Sequence, residues 1–159
     1  MEAKHLQDLI RRACEHRGTS FIEILQNCNI FNDGAFESLT NKETKSDTTL
    51  LLEHGKPLIF GKNRDKGLRM SGHKIQVVQI GDGVTESDLL AHDETDDALA
   101  FLLSSLRPPE FPMPIGVFRA VQRPTYNAAI NAQLQDAYDR LGAGDLDELF
   151  NRGDTWEVR

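Results

Sequence analysis

The stretch from Thr19 to Phe36 constrains the chain most. Ser20-Phe21-Ile22-Glu23-Ile24-Leu25 is an apolar run rich in β-favouring residues, punctuated in front by Gly18 and Thr19, and it predicts a buried strand. Directly after it, Gln26-Asn27-Cys28-Asn29-Ile30-Phe31-Asn32-Asp33-Gly34 brings side chains that hydrogen-bond their own backbone and a glycine that tolerates positive φ. That is loop chemistry. In open α/β sheets, ligands sit at loops past the carboxyl ends of strands, so Cys28 is placed where a cofactor could be reached. Ahead of the strand, Leu6, Leu9, Ile10 and Ala13 recur at helical spacing, and Gly18 stops the amphipathic helix they define. A helix, a glycine and a buried strand make the second half of a βαβ unit, whose first strand would lie before Met1. The expectation is a fragment, with a strand edge at Phe21, Ile22 and Ile24 open to another chain.

Length and charge narrow the function classes. A chain of 159 residues, 39% hydrophobic, suits one domain of ordinary size with a real core. Its formal net charge of -7 is spread over scattered carboxylates with no basic stripe, which argues against nucleic acid. No apolar run approaches the roughly 20 residues of a membrane helix, and Met1-Glu2-Ala3-Lys4-His5 lacks a signal-peptide core, so a cytoplasmic protein without membrane contact is expected. Two cysteines, Cys14 and Cys28, cannot form a disulfide framework, and each is a free thiol or a metal ligand.

From Phe36 to Gly72 the periodicity breaks down into an irregular excursion with short strands, including the run Thr49-Leu50-Leu51-Leu52-Glu53. Arg64, Lys66 and Arg69 make a local positive cluster, either a solvated face or a site for an acidic partner or phosphate. Lys74 to Ile80 alternates as a strand and runs into Gly81-Asp82-Gly83. Thiamine diphosphate enzymes hold their metal with such a triplet plus a downstream asparagine, but Ser104 to Met113, where it would fall, contains none. The triplet is therefore expected to be a turn, with Thr85 and Asp88 capping a short helix from Glu86 to Ala91. His92-Asp93-Glu94-Thr95-Asp96-Asp97 gathers metal-ligating types, yet it suits a solvated negative helix N-terminus better than a metal cage. A buried helix follows from about Asp96 to Leu106, then a proline-rich connector and a strand from Ile115 to Val121. Pro124-Thr125-Tyr126 opens a long helix whose Tyr126, Ile130, Leu134, Ala137, Tyr138 and Leu141 share one face; it ends at Gly142 and Gly144, and a short helix from Asp145 to Phe150 precedes an extended tail.

The motif from Gln26 to Phe36, then Leu52-Glu53-His54-Gly55-Lys56-Pro57-Leu58-Ile59-Phe60-Gly61, resembles the β subunit of 2-oxoacid:ferredoxin oxidoreductases of the 2-oxoglutarate type. Lys66-Gly67-Leu68-Arg69, the run Gly83 to Asp93 and Gly116-Val117-Phe118-Arg119-Ala120 continue the likeness over most of the chain. The resemblance implies an α/β fold: the C-terminal part of a thiamine diphosphate-binding parallel-sheet domain over 1–36, followed by an irregular α/β extension of the β subunit over 37–159. It implies oxidative decarboxylation of a 2-oxoacid, with coenzyme A taking the acyl group and electrons passing to ferredoxin, in a complex with an α subunit. It also implies a four-iron four-sulfur cluster, three of whose cysteines lie in the part of the family's subunit that this chain does not match, with Cys28 as the fourth. Thiamine diphosphate and Mg2+ would belong to the complete subunit only, and this chain alone would be inactive.

Residue chemistry alone leaves alternatives. A lone cysteine after a strand is ordinarily a small buried hydrophobe, and the resemblance is what makes Cys28 a ligand. Cys14 reads as packing or an inert surface thiol. Asn27, Asn29, Asn32 and Asp33 either form the turn or also tune the cluster by donating to its sulfurs. His54 and His73, beside glycines, read as loop residues, with no base-and-nucleophile arrangement nearby. The competing reading of the whole chain is a non-catalytic acidic interaction module.

Overall fold

A computed structural model describes residues 3–156 and 158. Contacts divide the chain into two units, Met1–His16 with Ser20–Val121, and Arg17–Thr19 with Gln122–Arg159. The first is a mixed α/β unit. It opens with helix α1, Ala3–Glu15, and after a long irregular passage enters two single-turn helices, α2 Glu37–Thr40 and α3 Lys45–Thr48. Strands β1 Thr49–Leu52, β2 Ile59–Phe60, β3 Lys66–Ser71 and β4 Lys74–Gln79 follow, then a 3-10 turn at Glu86–Asp88, helix α4 Asp97–Ser105 and strand β5 Met113–Gly116.

Two small sheets share one core. β1 pairs in parallel with β5, Leu50 opposite Pro114 and Leu52 opposite Gly116. Pro114 cannot donate to a ladder, and β5 accommodates it by pairing on one side only. β2, β3 and β4 form an antiparallel meander in that order. The core is Leu50, Leu52, Leu58, Phe60 and Leu68 from the strands and their connections, with Leu99, Leu103 and Leu106 from α4 and its end. Three leucines stitch it through the backbone as well: Leu68 N–H donates to Leu58 O at 3.0 Å, Leu58 N–H to Leu90 O at 2.8 Å, and Leu90 N–H to Leu68 O at 2.8 Å. Gly67 is fixed by packing, since a Cβ there would stand 2.5 Å from Leu89 Cδ1.

Most elements lie near where patterning predicts them. Thr49–Leu52, Lys74–Gln79 and α4 with Asp96 as its N-cap follow the expected spans. Thr85 and Asp88 form a reciprocal capping box, although the helix they open is a single 3-10 turn. The strand expected from Ile115 to Val121 instead ends at Gly116, because only Met113–Gly116 has a β1 partner alongside. The largest departure is at Ser20–Leu25. No strand forms there, and Phe21, Ile22, Ile24 and Leu25 are 89%, 40%, 54% and 36% exposed rather than buried. An extended apolar segment becomes a strand only by hydrogen bonding to a neighbour, and none of the described residues supplies one.

The second unit holds α5, Tyr126–Leu141, and α6, Leu146–Phe150, both at the predicted positions. Thr125 accepts from Ala128 N–H as N-cap of α5, and Gly142, at φ +78°, ends it in a conformation that side chains with a Cβ resist. Asp145 caps α6 by accepting from Asp147 and Glu148 N–H. Neither helix buries a residue.

Candidate functional site

Cys28 sits at the start of a tight loop closed by its own backbone. Asn32 N–H donates to Cys28 O at 2.8 Å, which turns the chain back on itself through Asn29-Ile30-Phe31. Asn27 braces the loop: its side-chain amide donates to Asn29 Oδ1 at 3.1 Å and Asp33 Oδ1 at 3.0 Å, while its Oδ1 accepts from Gly34 N–H at 2.9 Å. Gly34, at φ +75°, takes the left-handed turn that lets that amide face inward. The consequence falls on the sulfur. Backbone hydrogen bonding, from Phe31 first, then Ile30 and less strongly Asn32, holds the Cys28 thiol's pKa below the ordinary value against the opposing effect of burial.

Such a cradle favours a thiolate, and a thiolate is what a metal or cluster requires. Cys28 is half-buried, with its loop neighbours Ile30 and Phe31 83% and 90% exposed, so the sulfur lies at a surface. The donor set fits one ligand of a larger site. Among the described residues, no group of three or more His, Cys, Asp and Glu stands close enough to hold a metal ion. Cys14 is exposed on α1 and, like Cys28, is a free thiol. The residues present do not fit a diphosphate-bound metal: Gly81-Asp82-Gly83 closes a turn, with Gly81 and Val84 exchanging backbone hydrogen bonds at 3.0 and 2.9 Å and Asp82 exposed.

A second polar centre corrects the solvated reading for His92 and Glu94, while Thr95, Asp96 and Asp97 are exposed at the acidic start of α4 as expected. His92 is 1% exposed and Glu94 7%. The segment pairs with the loop after β1, His92 N–H donating to Lys56 O at 2.9 Å and Gly55 N–H to His92 O at 2.8 Å. The His92 ring approaches Val117 O at 2.7 Å through Nε2, which as the donor fixes that tautomer, and its buried Nδ1 has no hydrogen-bond partner. Glu94 receives both arms of Arg12 from α1, at 2.9 and 2.7 Å, and its backbone N–H donates to His54 Nδ1 at 3.1 Å. The Arg12 pair holds the Glu94 carboxyl below its ordinary range, against the opposing effect of burial. Thus His54, expected as a bystander, helps tie this segment in place, while Asp96 caps α4 by accepting from Leu99 N–H. Sequence reasoning missed Arg12 and Glu94 because 82 residues separate them. A period-two reading of Leu90-His92-Glu94 was the one available signal that His92 and Glu94 point inward.

The basic cluster disperses among local acids. Lys66 Nζ lies 2.7 Å from Asp47, which its hydrogen bond and charge keep below the usual carboxylate range, and Arg69 acts on Asp88 from a distance. His73 is exposed beside the β3–β4 turn.

No family model matches the chain, and no solved structure does. Among curated proteins it is similar to the 2-oxoglutarate oxidoreductase subunit KorB of Mycobacterium tuberculosis, 37% identical over 158 residues. That match takes in 96% of this chain and 42% of KorB, so the chain spans less than half the length of the relative. Identity at that level over so long a stretch is homology. The chain is homologous to part of a 2-oxoglutarate oxidoreductase subunit, in agreement with the resemblance carried by the Cys28 and Gly83 stretches. No helix among the described residues is long and apolar enough to cross a membrane.

Proposed function

We propose that the chain is part of the β subunit of a cytoplasmic 2-oxoglutarate:ferredoxin oxidoreductase, and that Cys28 supplies one thiolate to its four-iron four-sulfur cluster. The observation that carries this reading is the homology of the chain to KorB almost throughout, with Cys28 at the head of a loop braced by Asn27 and closed by Asn32 N–H on Cys28 O. Backbone N–H groups directed at a ligating sulfur stabilise its charge and raise the reduction potential of the centre it binds. When bound, such a cluster carries single electrons, here from the oxidised 2-oxoacid to ferredoxin. Asn27 holds the loop so that the amides keep their aim, and Gly34 allows the turn.

Residues 1–36 would close the thiamine diphosphate-binding domain, and 37–159 would form the extension of the β subunit. Thiamine diphosphate and Mg2+ would be held elsewhere in the complete subunit, because the Gly81 to Gly83 turn offers no second oxygen donor. Coenzyme A and the 2-oxoacid would bind only in the complete enzyme with its α subunit, leaving this chain alone inactive. Two free cysteines suit a reducing cytoplasm.

The test is ferredoxin reduction by the complete, anaerobically purified assembly. Reduction dependent on both 2-oxoglutarate and coenzyme A is expected, and a preference for another 2-oxoacid would revise the substrate alone. An assembly that reduces no ferredoxin with any 2-oxoacid would favour the non-catalytic acidic module, for which the exposed apolar side chains of the second unit speak.

A further inference from the structure

We propose that His54 and His92 form a proton-sensitive clamp around Glu94, which grips α1 and the residues after β5 while both rings are neutral and lets go in mild acid. The bonds themselves require neutral rings. Glu94 N–H donates to His54 Nδ1 at 3.1 Å, so that nitrogen carries a lone pair. His92 holds the Val117 carbonyl through Nε2 at 2.7 Å from a ring only 1% exposed, and its buried Nδ1 has no hydrogen-bond partner. A proton on either ring acts against this arrangement. On His54 it turns the acceptor into a donor facing Glu94 N–H, and the new donor has another partner in Asp93 Oδ1, 3.7 Å away. On His92 it creates a buried N–H with no acceptor in reach, which is costly wherever water is excluded.

The surrounding charges are engaged elsewhere. Both Glu94 oxygens take the Arg12 guanidinium, and Asp93 Oδ1 accepts from Thr95 N–H and Oγ1. Lys56 meets His92 through its backbone carbonyl, and Arg119 faces Asp97 at 3.8 Å. What the clamp controls is a junction. Glu94 carries Arg12 of α1 on its carboxylate and Ala120 N–H on its carbonyl at 2.8 Å, so depriving its own N–H of an acceptor, at a site 7% exposed, loosens both contacts. The Glu94 carboxylate stays charged meanwhile, because Arg12 holds it below the ordinary carboxyl range. Histidine in an unfolded chain takes its second proton near about pH 6.5, which sets the window between neutrality and about pH 5.5.

The test is amide exchange of the 159-residue chain at about pH 7.5 and about pH 5.5, corrected for the intrinsic pH dependence of exchange. Protection of the Glu94 amide and of α1 should fall ~10-fold or more on acidification, while β3–β4 keeps its protection. His54→Asn sets an amide oxygen near the place of Nδ1 and does not titrate, so protection at about pH 7.5 should survive and most of the fall should vanish. His92→Gln, whose amide can still donate to Val117 O, should remove the rest. An undiminished fall in both variants would overturn the proposal, and so would equal protection of the unaltered chain at the two pH values. If His92→Gln does not fold, His54→Asn decides alone, since that side chain is 57% exposed and tolerates replacement.

Discussion

Thr49–Leu52 and Ser20–Leu25 are two short apolar runs of similar β character, and they end in opposite states. The first is strand β1, with Leu50 fully buried against the α4 leucines. The second forms no strand, and its Phe21 is 89% exposed. The difference is the partner. Met113–Gly116 returns from more than 60 residues away to lie parallel to β1, and Gly116, at φ +133° with room for no Cβ, lets the two backbones close. β propensity describes fitness for a pleated, half-buried surface, and that surface exists only once a neighbour is present.

The largest effect should come from breaking the partnered run. Leu50→Ala should cost about 2–5 kcal/mol in denaturant unfolding of the chain, whereas Ile24→Ala should stay within about 0.5 kcal/mol. In the complete subunit the Ile24 substitution should become costly, and a cost equally small there would mean that the exposed run never acquires a partner. Gly116→Ala attacks the pairing itself. A Cβ there would lie 2.8 Å from Leu52 O on a backbone already at positive φ, and a loss of about 1–3 kcal/mol is expected, with amide protection in β1 falling first.

The Arg12 to Glu94 pair is the next effect in size. With the guanidinium half exposed and so partly screened, Glu94→Gln should cost about 1–2 kcal/mol, most visible as faster exchange in α1. Its pH dependence has a definite sign. The folded carboxyl titrates below the ordinary range, so the stabilisation is complete at neutral pH, starts to drain as pH falls past the unfolded value of about 4.3, and is gone below the depressed folded value. Urea midpoints of the unaltered chain and the Glu94→Gln variant should converge in acid. A smaller effect is expected of Thr125→Ala, which removes one cap and should cost about 1 kcal/mol, read as roughly fivefold faster exchange at the start of α5.

Local chemistry was legible in the sequence where it acts locally. The caps at Thr85, Asp96, Thr125 and Asp145, the stop at Gly142 and the long helix from Tyr126 all follow from neighbours within a few residues. The inward turn of His92 and Glu94 was not, because it depends on Lys56, Val117 and Arg12, each distant in the chain. The Cys28 loop falls between these cases. Its asparagines and Gly34 announce a turn, but only the folded backbone brings the Phe31 and Ile30 amides to the sulfur.

Iron content of the complete subunit, purified anaerobically, tests the central claim about that sulfur most directly. Cys28→Ser should leave the cluster depleted, with iron and visible absorbance lost together, because serine offers no thiolate to the amide cradle, while Cys14→Ser should retain both. Four irons per subunit in the Cys28→Ser protein, with unchanged absorbance, would contradict the account.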